Sequence, residues 1–237
     1  MRVAVAYDAG QPLVIEDLEP QPMGPRDVLV RIAASGICHT DLNVIDGRSP
    51  LPLPIVPGHE ACGVVEEAGA DVRRVRPGDR VVAVVSPACG TCWSCVNRMS
   101  NQSELGRGIQ ATPRFRLPDG RSAAAVCGGG TFAEAMVVHE ASVIAVETDL
   151  PDDQLALLGC GVTTGLGAAF NTPGITPGAS VAVIGCGGVG QSVIQGARIA
   201  GAAKIIAVDP VELKRKAAEE QGATDLVPRP IAMRADF

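Results

Sequence analysis

Aromatic side chains are scarce in this chain: Phe, Trp and Tyr make up only 3% of its 237 residues, so aliphatic residues must form its core. No apolar run approaches the roughly 18 residues that a membrane-spanning helix needs. The N-terminus also lacks the apolar stretch of a secretory signal peptide. The formal net charge of −6 argues against nucleic acid as a partner, because phosphate binding requires clustered Lys and Arg. Composition therefore favours a globular protein of the cytoplasm with neither a nucleic-acid nor a membrane partner.

Cysteine, by contrast, is plentiful, with eight residues in the chain. Without a secretory signal, these cysteines are expected to be reduced thiols that bind metal or pack in a core. Cys89, Cys92 and Cys95, called the three-cysteine cluster below, follow one another at matched intervals that are typical of metal-binding loops. The surrounding residues, about 87–130, lack apolar periodicity and predict a lobe or long loop.

Hydrophobic patterning divides the chain into two domains. Before about residue 150, short Val- and Ile-rich segments alternate with turns that contain Gly and Pro, which favours a barrel or sandwich. Afterwards, helices alternate with continuous apolar strands at Ser180–Ile184 and Lys204–Val208, which predicts βαβ units and a parallel sheet. A glycine-rich segment, Gly159–Gly167, is expected to lead into one of these helices. We therefore predict a β-rich domain over residues 1–155 and an α/β domain over residues 156–237.

The segment after the first predicted parallel strand has the spacing of a dinucleotide-binding loop. Its residues are Gly185, Cys186, Gly187, Gly188, Val189 and Gly190. Gly185 would permit a tight turn, Gly187 the approach of backbone N–H groups to a pyrophosphate, and Gly190 close packing of helix on strand. Asp209, at the end of the next strand, would accept the ribose hydroxyls and repel a 2′-phosphate, so NAD is predicted rather than NADP. An ordinary βαβ turn without a ligand is the alternative.

Three further side chains have the chemistry of metal ligands: Cys38, His59 and Cys160, called the ligand triad below. Two thiolates and one imidazole leave one position of a tetrahedral zinc open, as in catalytic rather than structural sites. Taken singly, each cysteine is equally compatible with a small packed side chain, and the histidine with a structural role. Combined with the dinucleotide loop, the triad predicts metal-assisted hydride transfer.

The motifs that contain these residues resemble those of the zinc-containing medium-chain alcohol dehydrogenases. They are the segments Gly36–Asp41, Pro57–Glu60 and Gly159–Gly165, and the glycine loop with Asp209. The resemblance covers about residues 1–227 and implies a GroES-like β-barrel catalytic domain followed by a Rossmann domain, a doubly wound parallel sheet. It also implies zinc and NAD as cofactors, a small alcohol or aldehyde as substrate, and a homo-oligomer as the assembly.

The same resemblance assigns roles to individual residues. The ligand triad matches the catalytic zinc ligands, Glu60 the nearby carboxylate, and Asp41 the partner that orients the zinc-binding histidine. Thr40 matches the hydroxyl that takes the alcohol proton. The positions that match cofactor contacts are His39, Thr164, Gly185, Gly187, Gly188, Val189, Gly190, Asp209 and Lys214. Asn43 stands where family members with a relay histidine carry it, so the proton must leave through water or another group.

The family also has a structural zinc held by four cysteines, and the three-cysteine cluster matches the first three of them. At the fourth position this chain has Ser103, whose hydroxyl is a much poorer zinc ligand than a thiolate. Three interpretations stay open. The cluster holds a three-thiolate zinc completed by Glu104, Cys127 or water, or it is an empty or weak site, or it has a redox role.

The length of the second domain limits the functional conclusion. Residues from Ser180 to Phe237 suffice for about two strands and two helices, whereas a complete Rossmann domain has six strands. We therefore expect an incomplete Rossmann domain, in a chain truncated at its C-terminus, with only the adenosine half of the cofactor site encoded. The expected function is an NAD-dependent zinc alcohol dehydrogenase, either active or as an inactive truncated form. The alternative is a non-catalytic, zinc-binding and partner-binding fragment.

The Gly159–Phe170 segment resembles the branch of the family that handles thiol adducts of formaldehyde.

We expect Asp209→Gly to weaken NAD binding and to favour NADP relative to NAD. The substitution removes both the acceptor for the ribose hydroxyls and the charge that repels a 2′-phosphate. Calorimetric titration with the two nucleotides should show a shift of about tenfold in the ratio of their affinities, or about 1.4 kcal/mol. An unchanged ratio would show that Asp209 does not select the nucleotide.

Overall fold

Short strands dominate the chain up to Ala145 in the computed structural model, which describes residues 1–172 and 174–228. The strands of this part are β1 (Arg2–Val5), β2 (Val14–Asp17), β3 (Glu19–Pro20), β4 (Asp27–Gly36), β5 (Ile55–Val56), β6 (Glu60–Ala68), β7 (Arg80–Ala83), β8 (Phe115–Arg116), β9 (Ser122–Ala125), β10 (Ala135–His139) and β11 (Val143–Ala145). Its helices are α1 (His39–Ile45), α2 (Trp93–Val96), α3 (Glu104–Gln110) and α4 (Asp152–Ala156). Contacts divide the chain into two units, Met1–Cys160 and Gly161–Phe237.

The main sheet of the first unit is antiparallel, with the strand order β10-β4-β6-β7-β11. Val28 and Val30 of β4 point into its core and pack with Val65 of β6 and Met136 of β10, all at most 1% exposed. Leu29, between these two valines, is only half-buried. This alternation is typical of a sheet with one buried face. Aliphatic side chains therefore build this core, as the scarcity of aromatic residues predicts.

A second sheet of the first unit has the order β3-β8-β9-β5 and includes residues from the predicted lobe. Phe115 of β8 is 1% exposed and packs with Val3 and Val5 of β1. The description of residues 87–130 as a lobe or long loop therefore applies only to the part before Phe115. The strands β8 and β9 are too short to give a periodic hydrophobic pattern, so sequence reasoning could not detect them.

The second unit contains a parallel sheet with the order β12-β13-β14. Its elements are α5 (Gly161–Asn171), β12 (Ser180–Ile184), α6 (Gly188–Ile199), β13 (Lys204–Val208), α7 (Glu212–Gln221) and β14 (Asp225–Val227). The two predicted parallel strands have the predicted bounds, whereas the short strand β14 was not predicted. Residues 229–237 of the predicted second domain lie outside the described residues. Within residues 1–172 and 174–228, the helices are too short or too polar to cross a membrane.

The glycine-rich segment Gly159–Gly167 differs from its prediction, because most of it is helical rather than a lead-in to a helix. Helix α5 starts at Gly161 and packs against α6. A Cβ atom added at Gly165 would lie 2.5 Å from the carbonyl oxygen of Val189, and one added at Gly196 only 2.7 Å from the Cβ of Ala169. These glycines let the two helices approach closely, and that packing outweighs the low helix propensity of glycine.

A buried carboxylate, Glu140, connects three separate segments of the first unit. It is fully buried in the turn between β10 and β11. Its Oε1 accepts hydrogen bonds of 2.9 and 2.6 Å from the Arg26 guanidinium, and its Oε2 accepts the backbone N–H groups of Arg73 and Arg74 at 2.7 and 2.8 Å. Burial raises the pKa of Glu140, but these N–H groups and Arg26 outweigh that effect and lower the pKa to about 2.

We expect Glu140→Gln to lower the free energy of unfolding at pH 7 by about 2–3 kcal/mol, because it replaces charge-assisted hydrogen bonds with an uncharged amide. Because the pKa of Glu140 is lower in the folded protein, its contribution is complete above the unfolded value of 4.5 and is lost as pH falls toward about 2. Denaturant titrations at several pH values measure both effects.

The matched control is Glu134→Gln, which removes the ion pair between Glu134 and Arg2, whose side chains are 49% and 72% exposed. An exposed pair of this kind contributes less than about 1 kcal/mol. Equal losses in the two variants would contradict the role assigned to Glu140.

Candidate metal centre and dinucleotide loop

The side chains of the ligand triad converge in the first unit, although they are far apart in the sequence. Cys38 precedes α1, His59 precedes β6, and Cys160 follows the turn after α4. Their ligand atoms and a carboxylate oxygen of Glu60 all lie within 4.8 Å of one another. His59 and Glu60 are buried, and the two cysteines are half-buried. Two sulfurs, an imidazole and a carboxylate in this arrangement have the donor types and spacing of a zinc site.

Strand pairing brings two of these segments together. In the β4–β6 pair, Gly36 lies opposite Glu60, which places Cys38 beside the start of β6. A Cβ atom added at Gly36 would come within 3.1 Å of the Glu60 Cβ and of Leu157 Cδ2. Gly58 turns the chain in front of His59 with a φ of +91°, a conformation that favours glycine. The glycines of both motifs therefore give the donors room to converge.

The Asp41 carboxylate fixes the relative positions of Cys38 and His59. Asp41 is fully buried. Its Oδ2 accepts the Cys38 backbone N–H at 3.0 Å, and its Oδ1 accepts the Gly58 N–H at 2.9 Å and lies 3.0 Å from His59 Nδ1. With Nδ1 held by Asp41, the other ring nitrogen of His59 remains for a metal ion.

Protonation of His59 competes with metal binding. Burial lowers the pKa of His59, but hydrogen bonds to Asp41 and to Cys160 raise it, and the net result is a pKa of about 11. A metal ion must therefore displace a proton from the imidazole, so that metal uptake weakens as the pH falls.

The other residues predicted for catalysis lie on α1. His39 and Thr40 are exposed in its first turn, directly after Cys38. Asn43, at the predicted relay position, is half-buried, and its backbone carbonyl accepts the N–H groups of Arg48 and Ser49 at 2.8 and 3.0 Å.

Sequence reasoning missed one cysteine near the triad. Cys127 lines the same small cavity as His59 and Thr131. Burial raises the pKa of its thiol, and the charges of His59 and Cys160 also act on it. The suggestion that Cys127 completes a zinc site in the three-cysteine cluster is therefore wrong. Cys127 precedes a run of three glycines, which marks a turn but does not show which side chains the turn approaches.

The three-cysteine cluster forms as the sequence predicts, with its three sulfurs within 4.8 Å of one another. Ser103 is only 2% exposed, its Oγ accepts the Cys89 N–H at 3.2 Å, and the same Oγ lies 3.8 Å from Cys92 Sγ. The Thr91 backbone N–H, followed by the Ser103 hydroxyl, lowers the pKa of Cys89 to about 5. The cluster therefore adjoins the serine that stands at the fourth ligand position of the sequence pattern.

In the second unit, the glycine loop connects β12 to α6 with open space above it. Gly185 has a φ of +91°, and a Cβ atom added at Gly190 would overlap the carbonyl oxygen of Gly185. Among the described residues, nothing comes within 4 Å of a Cβ added at Gly187 or Gly188. The loop thus has a tight turn, a close helix–strand contact and an exposed backbone at the N-terminus of α6, which suit a pyrophosphate.

Asp209 lies beside this loop at the end of β13. It is 4% exposed, and its carboxylate accepts the N–H groups of Cys186 and Val211 at 2.9 and 2.8 Å. The Val211 N–H, followed by that of Cys186, lowers the pKa of Asp209. Each oxygen retains acceptor capacity for a ribose hydroxyl, because a carboxylate oxygen accepts more than one hydrogen bond.

The remaining predicted cofactor contacts, Thr164, Val189 and Lys214, are exposed in the second unit. Sequence analysis did not identify Arg215, a cation beside Asp209. Arg215 donates from Nη1 to the carbonyl oxygen of Asp209 at 2.6 Å.

These two sites and the two units define a protein with a metal-binding β domain and a nucleotide-type α/β unit. Residues 24–148 match the family model described as the alcohol dehydrogenase GroES-like domain. The chain is 42% identical to S-(hydroxymethyl)glutathione dehydrogenase of Saccharomyces cerevisiae, over 94% of this chain and 60% of that protein.

Solved structures give the same result. An alcohol dehydrogenase zinc-binding domain protein from Burkholderia ambifaria is 38% identical, with a TM-score of 0.86 over 95% of this chain and 63% of that one. Benzyl alcohol dehydrogenase from Acinetobacter calcoaceticus is 34% identical, with a TM-score of 0.84 over the same shares of the two chains.

The chain therefore belongs to the family of alcohol dehydrogenases with a GroES-like domain, and the predicted family and fold class are confirmed. It spans about 60% of the length of the curated relatives that it matches.

We expect Asp41→Asn to weaken zinc binding at the ligand triad by about 10–100-fold, because the substitution removes the negative charge that orients His59. Competition with a chromophoric zinc chelator measures the change. The matched control is Asp46→Asn at the other end of the same helix, where Asp46 makes an exposed ion pair with Arg48. If both variants bound zinc like the unmodified chain, Asp41 would not position the ligand.

Proposed function

We propose that this chain carries the zinc and nucleotide sites of an NAD-dependent alcohol dehydrogenase, an oxidoreductase that transfers hydride between an alcohol and NAD. The observation that carries the proposal is the convergence of the ligand triad and Glu60 within 4.8 Å. The match to the alcohol dehydrogenase GroES-like family and to relatives named as dehydrogenases supports it.

The residues of the first unit would hold the metal and manage the substrate oxygen. When bound, zinc supplies a Lewis acid for the alcohol oxygen and NAD supplies the hydride acceptor. Cys38, His59 and Cys160 would hold the metal, with Asp41 keeping His59 in position. Because Glu60 adds a fourth donor to the group, a substrate oxygen would compete with its carboxylate.

Thr40 would take the proton from the alcohol hydroxyl. Its side chain is exposed, two residues after Cys38, so the proton can pass from the Thr40 hydroxyl to water. An amide such as that of Asn43 does not titrate near neutral pH and cannot act as a relay base. A short path through solvent is the route that the exposure of Thr40 favours.

The residues of the second unit would hold the nucleotide. The backbone N–H groups of Gly187 and Gly188 would receive the pyrophosphate at the N-terminus of α6. Asp209 would accept the ribose hydroxyls, and Thr164 and Lys214 would make further contacts. The open space over the loop and the fixed carboxylate of Asp209 support this assignment.

The proposed substrates are small alcohols and their aldehydes, including thiol adducts of formaldehyde. The yeast relative is named for S-(hydroxymethyl)glutathione, and the Gly159–Phe170 segment resembles that branch. The proposal also includes a cytoplasmic location and a homo-oligomeric assembly. A cytoplasmic location agrees with the cysteines, all of which lie among the described residues and none of which forms a disulfide.

An assay of NAD reduction with benzyl alcohol and with S-(hydroxymethyl)glutathione, together with zinc analysis of the same sample, tests the proposal. We expect Cys38→Ser and His59→Ala to abolish turnover and to remove the firmly bound zinc, since each removes a ligand. Cys95→Ser, which alters only the three-cysteine cluster, is the matched control and should retain turnover.

Turnover that survives in both triad variants would overturn the assignment of the site. Firm zinc binding without turnover in the unmodified chain would favour the non-catalytic alternative, in which the chain binds zinc and a partner but transfers no hydride.

A further inference from the structure

The three-cysteine cluster is built as a sulfur site by its local backbone. Gly90, with a φ of +80°, turns the chain so that Cys92 and Cys95 face back toward Cys89. The backbone N–H groups of Thr91 and Cys92 lie 3.4 and 3.2 Å from Cys89 Sγ and point at it. Such N–H donors stabilise a negatively charged sulfur, so the loop favours thiolate ligands.

Ser103 closes the fourth side of this cluster and is fixed there by its own backbone. Its N–H donates to the carbonyl of Ser100 at 3.1 Å, and its carbonyl accepts the N–H of Arg107 at 3.2 Å. The backbone contacts fix the position of Ser103, and its hydroxyl accepts the Cys89 N–H beside Cys92, so rotation of the side chain away from the cluster would break that hydrogen bond. The fourth position is therefore taken by a neutral, buried oxygen.

Other candidates for a fourth charged ligand are absent from the cluster. Among residues 1–172 and 174–228, the group around Cys89 contains only the three cysteines. Glu104 is exposed as the first residue of α3. Cys127 lines the same cavity as His59 of the ligand triad. The donor set is thus three thiolates with a serine hydroxyl.

This donor set does not fit a structural zinc ion. Structural zinc is almost always tetrahedral, and its fourth ligand is a thiolate or an imidazole rather than a hydroxyl. Copper(I) is a soft cation that thiolates bind preferentially, and it is stable with only three sulfur ligands. We propose that Cys89, Cys92 and Cys95 form a three-thiolate Cu(I) site and that Ser103 is the residue that disfavours structural zinc there. Binding releases the thiol protons and leaves the oxidation state of copper unchanged.

The single tryptophan of the chain gives a direct test, because Trp93 lies between Cys92 and Cys95. The full chain, loaded with one zinc, is titrated under anaerobic conditions with Cu(I) in competition with bicinchoninate. We expect one Cu(I) per chain, quenching of Trp93 fluorescence, and protection of three thiols from alkylation. Cys92→Ser should weaken Cu(I) binding by at least about tenfold, because it removes one of three thiolates.

Cys38→Ser separates this site from the ligand triad and should leave the quenching of Trp93 by Cu(I) unchanged. The inference does not depend on the proposed dehydrogenase activity, which is measured separately by zinc content and turnover. Quenching that depends on Cys38 but not on Cys92 would overturn the proposal, as would the absence of any Cu(I)-dependent quenching.

Ser103→Cys tests why zinc is disfavoured. The added thiol should restore a four-sulfur site and raise the retention of a second zinc against a chelator by at least about tenfold. Ser100→Cys is the matched control, since it adds a thiol at an exposed position on the same lobe and should change nothing. If the unmodified chain held two zinc ions as firmly as the Ser103→Cys variant, the proposal would be wrong.

Discussion

The candidate metal centre depends on one buried carboxylate, that of Asp41. It accepts hydrogen bonds from the backbone of Cys38 and Gly58 and holds the ring of His59, so it connects the two segments that carry the first two candidate ligands. A buried donor left without its acceptor costs about 1–3 kcal/mol, so these groups keep one another in place. The carboxylate thereby links the folding of the turn before α1 to the orientation of the imidazole.

The pairing of β4 with β6 determines the relative positions of the segments that contain Cys38 and Glu60. The pair is interrupted by irregularities between Leu29 and Val30 and between Ile32 and Ala34, yet it ends with Gly36 opposite Glu60. A one-residue change of register would turn the side chains of β6 to the other face and remove Glu60 from the donors. The hydrophobic core around Val28 and Val30 fixes the register, and so the aliphatic core of the sheet helps to set the geometry of the candidate metal centre.

How much of this could be read from the sequence depends on the range of the interactions involved. The strands at 180–184 and 204–208 were predicted correctly because their signal is local: a continuous run of apolar residues. The convergence of the triad also followed from its motifs. By contrast, the position of Cys127 beside His59 and the core position of Phe115 depend on contacts with distant segments. Helix α5 was misjudged for the same reason, because Gly165 serves the packing of α5 against α6 rather than a turn.

The two cysteine clusters show how neighbouring ligands, rather than cysteine itself, decide what a metal site can do. At the ligand triad, the Glu60 carboxylate lies beside an imidazole and two thiols, and a carboxylate is a harder and more easily displaced donor than a thiolate. In the three-cysteine cluster, N–H groups stabilise the sulfur and a fixed serine fills the remaining side. The first arrangement includes a displaceable oxygen donor, whereas the second offers three sulfurs and a neutral hydroxyl. A single change from thiol to hydroxyl at residue 103 thus alters which metal fits, although the surrounding fold places all of the side chains as the sequence pattern predicts.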